Sequence, residues 1–264
     1  MKGVICYYSG SGNTKLACRY IAKNVRNVEF DLFNIVKGGT IDLSQYDIVG
    51  LAAFTDFLAP SQVVQTFVEN LPQQNGKPAF VFNTFGFMSG KTVKVLEKWA
   101  DTKGFRVIAG YSLHTPESYP PMIARGRAYV DAPDEKEMTR FNEFVTELGQ
   151  LCAALKGGRP VTNKKISVGL LARLIPTPAR TQARKDMGEK YVDETLCKQC
   201  GVCEKGCPYQ AIELAPFPVF DMDKCYGCWY CYNHCPQKAI YTKKYRGSPH
   251  YPRPVEQLKE KLRV

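Results

Sequence analysis

The chain has 264 residues, of which 44% are hydrophobic and 23% are charged, and its formal net charge is +11. These values are ordinary for a soluble globular protein, and the length favours one large or two modest domains over a single small one. The longest apolar stretch, ISVGLLARLIP, is interrupted by Arg173 and is too short to span a bilayer, which excludes a transmembrane segment there. Because no charged leader or cleavage site precedes the first apolar run, we expect a cytoplasmic protein.

The positive charge is concentrated in two segments. Residues 151–190 carry nine basic and two acidic side chains, and residues 243–264 carry seven basic and two acidic ones. This charge is interpreted either as a docking surface for an acidic redox partner or as a solvated, solubilising surface. No nucleic-acid-reading element accompanies it, so we expect no nucleic-acid partner.

Residues 1–156 alternate between strands and helices. The predicted strands are Gly3–Tyr8, Val28–Ile35, Asp47–Phe54, Pro78–Phe85 and Phe105–Leu113. The predicted helices are Thr14–Asn24, Ser61–Leu71, Lys91–Gly104 and Asp134–Lys156. Five strands that alternate with helices predict an α/β domain with a doubly wound, five-stranded parallel sheet, because parallel strands require crossover connections.

A basic linker broken by proline and glycine is predicted over residues 157–187, with one short helix around Val168–Leu174. An internal repeat follows. The stretch YVDETLCKQCGVCEKGCPYQAI aligns with VFDMDKCYGCWYCYNHCPQKAI at an offset of 28 residues, which indicates two similar half-units. We assign residues 188–246 to a second domain and residues 247–264 to a basic tail that ends in a solvated helix.

The turn between the first strand and the first helix is rich in glycine and hydroxyl side chains. The first N–H groups of a helix have no intrahelical partner, and glycines allow such amides to surround an anion, so we expect a phosphate here. The turn has neither the lysine of the nucleoside-triphosphate loop nor the GxGxxG spacing of a dinucleotide loop. Its candidate phosphate-binding residues are Ser9, Gly10, Ser11, Gly12, Asn13 and Thr14.

The stretch YYSGSGNTKLA resembles the FMN phosphate loop of flavodoxins. The resemblance implies that FMN binds here, with its ring system between the loops that follow the third and fourth strands. Ser89 replaces the acidic residue often found late in the second of these loops. The candidate flavin-binding residues in the two loops are Phe54, Thr55, Asp56, Phe57, Asn83, Thr84, Phe85, Gly86, Phe87 and Gly90.

The segment HTPESYPP, which follows the fifth strand, is expected to fold over the edge of the flavin. Tyr119 is a candidate contact in it, and His114 is interpreted as a structural residue.

Eight of the eleven cysteines form two runs of the form C-x2-C-x2-C-x3-C-P. These runs match those of bacterial ferredoxins, in which three thiolates bind one cubane and the fourth ligates the other cluster. Cluster one is therefore assigned to Cys197, Cys200, Cys203 and Cys235. Cluster two is assigned to Cys225, Cys228, Cys231 and Cys207.

Zinc is the alternative ligand for paired C-x-x-C motifs, but two complete copies of this longer run favour iron–sulfur clusters. Trp229 and His234, which lie within the second run, are interpreted as packing or hydrogen-bonding residues. Cys6, Cys18 and Cys152 lie outside the runs in apolar sequence, so we expect them to be buried, inert thiols.

The whole pattern resembles the flavodoxin–ferredoxin fusion proteins of anaerobic bacteria and archaea, the EFR-type ferredoxins. The resemblance implies FMN, two 4Fe–4S clusters and an electron-transfer protein that links one-electron and two-electron carriers. A redox protein, such as a ferredoxin or a reductase, is the expected partner. The sequence leaves open whether the chain forms a homodimer. Two alternatives also stay open: an FMN-dependent reductase of a small organic substrate that the clusters supply with electrons, and a structural or sensing module.

Overall fold

The computed structural model describes residues 1–169, 174, 176, 180–247 and 249–264. Its largest element is a sheet of five strands in the order β2-β1-β3-β4-β5, and all neighbouring strands run parallel. The predicted five-stranded, doubly wound sheet is confirmed, with strand ends within one residue of those expected. The strands are β1 Lys2–Tyr7, β2 Glu29–Asn34, β3 Ile48–Phe54, β4 Pro78–Phe85 and β5 Arg106–His114.

Helices cover both faces of this sheet. Their bounds are α1 Asn13–Asn24, α2 Gln62–Asn70, α3 Thr92–Thr102, α4 Pro120–Ile123 and α5 Glu135–Lys156, and a short 3-10 helix spans Leu43–Gln45. The four long helices are confirmed, whereas α4 and the 3-10 helix were not predicted. In the described parts of the chain, no helix is both long and apolar enough to cross a membrane.

The core of the first domain lies in two layers, one on each face of the sheet. Ile5 and Phe82 belong to one layer with Phe141 of α5, whereas Val4 belongs to the other layer with Leu96 of α3. Val4 and Ile5 are neighbours in β1, and successive side chains of a strand point to opposite faces. A strand covered on both faces therefore reads as a continuous apolar run, as the sequence of β4 does.

The first part of the predicted linker packs against the first domain. The backbone N–H of Lys164 donates to the carbonyl of Val107 at 3.0 Å, and that of Ile166 donates to Glu97 Oε1 at 3.0 Å. Val161 and Ile166 are 7% and 8% exposed. This segment therefore runs along β5, the edge strand of the sheet. The helix predicted around Val168–Leu174 falls mostly outside the described residues.

The second domain is small and has the repeated arrangement that the sequence predicted. Its strands form two antiparallel pairs, β6 with β9 and β7 with β8, so each pair takes one strand from each half-unit. The predicted small α+β domain is confirmed. Its elements are α6 Arg180–Met187, β6 Lys190–Val192, α7 Val202–Lys205, β7 Ile212–Leu214, β8 Pro218–Phe220, α8 Tyr230–His234 and β9 Ile240–Thr242.

The prediction of a solvated helix in the tail was wrong. Helix α9 spans Glu256–Lys261, and Leu258 and Leu262 are both 0% exposed. Leu258 lies in the helix and Leu262 directly follows it, and both pack into the core layer that contains Phe141. The segment after the second domain therefore returns to the first domain and is anchored there.

Candidate functional site

The glycine-rich turn lies at the carboxyl end of β1, where α1 begins. Gly12 has a φ of 100°, in the left-handed region that a side chain would strain, and its N–H donates to Ser9 Oγ at 3.1 Å. Helix α1 starts at Asn13, so its first N–H groups face this turn without intrahelical partners. The turn is thereby held in a shape that presents backbone donors at the edge of the sheet.

A small cavity of about 20 Å³ lies beside this turn. Thr14 Oγ1 and Thr84 Oγ1 lie 2.8 Å apart, and Asn13 Nδ2 donates to the carbonyl of Pro116 at 2.9 Å. Hydroxyl groups and a helix amino terminus are suitable donors for a phosphate, so the residues present fit the phosphate of FMN. The predicted residues that line this cavity are Ser11, Asn13, Thr14, Phe54, Thr55, Thr84, Phe85 and Gly86.

A larger cavity, of about 210 Å³, lies where the two domains meet. The predicted flavin-binding residues that line it are Gly10, Ser11, Phe54, Thr55, Asp56, Phe57, Gly86 and Phe87. The other lining residues of the first domain are Leu58, Met88, Glu117, Ser118, Tyr119 and Met122. The second domain contributes Gly227, Cys228, Trp229, Tyr230 and Asn233. One cavity thus joins the predicted flavin loops to the second cysteine run.

Four predicted residues line neither cavity: Ser9, Gly12, Asn83 and Gly90. Asn83 is 0% exposed and holds Thr55 in place, because its Nδ2 donates to Thr55 Oγ1 at 2.8 Å. Gly90 has a φ of 56°, and a Cβ there would lie 2.4 Å from the carbonyl oxygen of Leu58. Asn83 and Gly90 therefore shape the loops that line the cavity.

Aromatic side chains from both domains form one wall of the larger cavity. Phe57 and Tyr119 meet edge to face at 5.5 Å between ring centroids, and Tyr119 meets Trp229 in the same way at 5.9 Å. Burial raises the pKa of Tyr119 well above its ordinary value, so its phenol is neutral. Trp229 is 2% exposed, and its Nε1–H has no hydrogen-bond partner among the described residues. A buried donor in this position is available to a bound polar ring system such as a flavin.

Glu117 contributes a carboxylate to the same cavity. Its Oε2 accepts a hydrogen bond from the N–H of Phe87 at 3.0 Å, and its Oε1 accepts from the N–H groups of Ser118 and Tyr119 at 2.8 and 3.0 Å. Sequence reasoning noted that Ser89 replaces the usual acidic residue of the fourth-strand loop. In the structure, Glu117 of the loop after β5 brings a carboxylate to this fourth-strand loop, where it accepts from the N–H of Phe87. His114 lies outside both cavities, stacked on Phe85 at 5.1 Å.

A hydrogen-bonded link joins the glycine-rich turn to the second domain. Tyr251 OH donates to Asn13 Oδ1 at 3.0 Å, and the N–H of Tyr251 donates to Asn233 Oδ1 at 3.1 Å. Asn233 Nδ2 in turn donates to the carbonyl of Ser118 at 3.0 Å. Sequence reasoning missed this link because Asn13 and Tyr251 are 238 residues apart.

The four cysteines predicted for cluster one line a common cavity of about 20 Å³. Cys235 is among them although it belongs to the second run, and Cys207 is not. The described residues contain no group of three or more histidine, cysteine, aspartate or glutamate side chains that could hold a single metal ion, and the four thiols surround a cavity instead. This arrangement fits a cubane with crossed ligation. Cys200 is exposed, and so are the nearby apolar side chains of Leu196, Val202 and Val219.

The cysteines predicted for cluster two are more enclosed. Cys225 and Cys231 are 4% and 5% exposed, and Cys228 faces the larger cavity. Cys207, from the first run, packs against the apolar cluster that contains Cys231. Lys190 Nζ donates to Cys225 Sγ at 2.8 Å, a contact that sequence reasoning missed.

The three cysteines outside the runs are all buried, as predicted. Burial raises the pKa of Cys6 and of Cys152 to about 12, so both are neutral thiols at physiological pH. Burial also raises the pKa of Cys18. Unreactive, protonated side chains are the expected result.

Two known protein-family models match parts of the chain. Residues 4–111 match the model of a flavodoxin domain, and residues 196–239 match the model of a 4Fe-4S dicluster domain. The chain therefore joins a flavodoxin domain to a 4Fe-4S dicluster domain, and the predicted combination is confirmed.

Curated relatives share the cysteine-rich part. A stretch of 52 residues is 46% identical to one component of the ion-translocating oxidoreductase complex of Methanosarcina acetivorans and covers 19% of this chain and 20% of that protein. A stretch of 48 residues is 42% identical to the delta component of the NADH-dependent phenylglyoxylate dehydrogenase of Aromatoleum evansii and covers 18% of this chain and 52% of that protein. The chain thus spans between a fifth and about half of the length of these relatives.

Among solved structures, a flavodoxin from the domain Archaea covers 58% of this chain and 99% of its own length. Its sequence identity to this chain is 16%, and the TM-score is 0.43.

Proposed function

We propose that this protein transfers electrons between one-electron protein carriers and an FMN bound at the carboxyl ends of β1, β3 and β4. Two 4Fe–4S clusters, held by the crossed cysteine sets described above, complete the proposal. When bound, FMN exchanges one or two electrons, whereas each cluster exchanges one, so the combination links the two kinds of carrier.

The observation that carries the proposal is the shared cavity. Cys228, a proposed cluster-two ligand, lines the same cavity as Phe54, Phe57 and Phe87 of the proposed flavin loops. Electron transfer requires short distances, and the shared cavity supports the proposal because the proposed cluster ligand and the proposed flavin loops line it together. The link from Asn13 through Tyr251 to Asn233 fixes the two domains in this relation.

The exposure of the cysteine sets supports a direction of approach for the partner. Cys200 of the cluster-one set is exposed, as are Leu196 and Val202 close to it in the sequence, whereas Cys225 and Cys231 of the cluster-two set are buried. A redox protein would therefore meet cluster one first. The two named relatives are components of an oxidoreductase complex and of a dehydrogenase, which supports a protein partner.

The test starts from protein purified without oxygen, which should contain about eight iron atoms and one FMN per chain. A bacterial ferredoxin, reduced and freed of excess dithionite, is then mixed with it, and the bleaching of the flavin is followed by stopped-flow absorbance. Cys228→Ala should slow this bleaching at least tenfold, because it removes the ligand that faces the flavin. Direct reduction of the flavin by dithionite should persist.

The matched control is Cys152→Ala, which removes a buried thiol far from the cysteine runs and should leave the rate unchanged. Equal rates for the Cys228 variant and the unmutated protein would contradict the proposed route. Stoichiometric zinc with little iron would overturn the cluster assignment. Reoxidation of the reduced protein by a small organic compound, with no second protein present, would favour the reductase alternative.

A further inference from the structure

Lys190 breaks the pseudo-symmetry of the second domain. The repeat has an offset of 28 residues, so Lys190 of β6 corresponds to Pro218 of β8. Each residue lies beside one cysteine set: Lys190 contacts Cys225 of cluster two, and Pro218 lines the cavity of cluster one. One half-unit thus places an ammonium group where the other places a proline.

The surroundings of Lys190 leave the cysteines as its charge partners. Lys190 is 9% exposed, its Nζ donates to Cys225 Sγ at 2.8 Å, and it lies 5.2 Å from the centre of the Phe220 ring. No carboxylate of the described residues forms an ion pair with it. Lysine is almost never buried without a partner, and here the partner is a sulfur that ligates the proposed cluster.

We propose that Lys190 raises the reduction potential of cluster two relative to cluster one. This inference rests on the proposed function. One-electron reduction adds one negative charge to a cluster, with no bond formed or broken and no proton exchanged. A buried cation and an N–H···S hydrogen bond both stabilise that added charge, and hydrogen bonds and local charge are known determinants of cluster potentials.

The environment of cluster two explains why such a residue is needed. Cys225 and Cys231 of its set are buried, and burial disfavours an added charge, whereas Cys200 of the cluster-one set is exposed and open to stabilisation by water. Burial alone would therefore keep an electron on cluster one, away from the flavin cavity. Lys190 offsets this cost of burying an added charge. The electron is therefore favoured on cluster two, which faces the cavity.

The test is a potentiometric titration of the anaerobic holoprotein with dithionite as the electron donor. Lys190→Met removes the charge and keeps an unbranched side chain of similar length. It should lower one of the two cluster potentials by 59 mV or more, the equivalent of a tenfold shift in the ratio of reduced to oxidised cluster, and leave the other potential unchanged. The hyperfine-shifted NMR signals of the cysteine side chains assign the lowered potential to cluster two.

Lys224→Met is the matched control, because it removes the same charge next to Cys225 from a side chain that is 64% exposed. Its shift should be much smaller, since solvent screens exposed charges. Lys190→Arg, which keeps the positive charge, should leave the reduction potential of cluster two close to that of the unmutated protein. Unchanged potentials in Lys190→Met with full iron content would overturn this inference alone, and so would equal shifts in the Lys190 and Lys224 variants. Absence of iron in the unmutated protein would instead overturn the proposed function.

Discussion

The two cysteine sets of the second domain have the same spacing and different surroundings. The set assigned to cluster one includes the exposed Cys200, whereas the set assigned to cluster two includes the buried Cys225 and Cys231, and its Cys228 lines the cavity between the two domains. The repeat thus determines the positions of the cysteines in both halves. Single residues that differ between the halves determine the surroundings of each cysteine set. Spacing alone therefore does not distinguish the half with the exposed cysteine from the half that lines the cavity between the domains.

One position illustrates how the halves diverged without a change of backbone. Gly201 and its repeat counterpart Trp229 both adopt the left-handed conformation, with φ of 71° and 62°. Glycine adopts this conformation freely, whereas a bulky residue does so only where packing holds it. Trp229 is held by edge-to-face contacts with Tyr232 and Tyr245 at 5.1 and 5.5 Å. The left-handed backbone at this position of the cysteine run thus also carries a wall residue of the larger cavity.

The largest expected effect tests whether the two sets are crossed. Cys207→Ala should remove cluster two, although Cys207 belongs to the first run, and Cys235→Ala should remove cluster one. Each variant should lose about half of its iron. NMR of the remaining hyperfine-shifted cysteine signals should show Cys197, Cys200 and Cys203 in the first variant. The reverse pattern would mean that each run binds its own cluster.

The second-largest expected effect is on FMN affinity alone. Ser11→Ala combined with Thr14→Ala should weaken FMN binding about 100-fold, because two hydrogen bonds to a charged group contribute about 3 kcal/mol together. Riboflavin, which lacks the phosphate, should bind as before, and the iron content should not change. Titration of the flavin-free protein with each flavin measures the preference. Equal affinities of the unmutated protein for both flavins would refute the phosphate site.

A smaller effect is expected when the second half is made to resemble the first. Trp229→Gly copies Gly201, and the left-handed backbone suits glycine, so both clusters should assemble. FMN should bind about tenfold more weakly, equivalent to about 1.4 kcal/mol, because the cavity loses an aromatic wall. Flavin titration and iron analysis measure the two outcomes. Loss of iron with unchanged flavin affinity would show that Trp229 supports the cluster instead.

The smallest effect concerns the approach of a partner. If the basic segments attract an acidic redox protein, reduction by that protein should slow as salt rises past physiological strength, where the screening length is about 8 Å. Neutralising Arg180 and Lys185 should flatten this salt dependence and lower the rate a few-fold at low salt. Stopped-flow measurements over a salt series provide the test.

Lys98 and Lys136 provide the matched control for this experiment, because both are exposed lysines of the first domain. Their neutralisation should leave the salt dependence intact. A reduction rate that changes neither with salt nor with the Arg180 and Lys185 substitutions would favour the solvated-surface interpretation of the basic segments.

The sequence predicted the features that depend on neighbouring residues. Strand and helix periods, the glycine-rich turn and the cysteine spacing are all local patterns, and the sheet and the domain types were predicted correctly from them. Glu117 and Lys190 could not be found in this way. Their positions in the site depend on how separate loops and half-units pack, and a lone glutamate or lysine has no local signature. The buried face of α9 was also missed, because its two leucines lie in a basic segment.

The contact between Tyr251 and Asn13 also bears on how the protein is made. A ribosome adds roughly 5 to 20 residues per second, so Tyr251 is synthesised roughly 10 to 50 seconds after Asn13. During that interval the nascent chain can form the sheet and the glycine-rich turn, while Asn13 still lacks the phenol that holds it. A flavin that enters early would meet an incomplete turn. If FMN binds at this turn as proposed, the order of synthesis favours its insertion after the cysteine-rich domain has emerged and folded back.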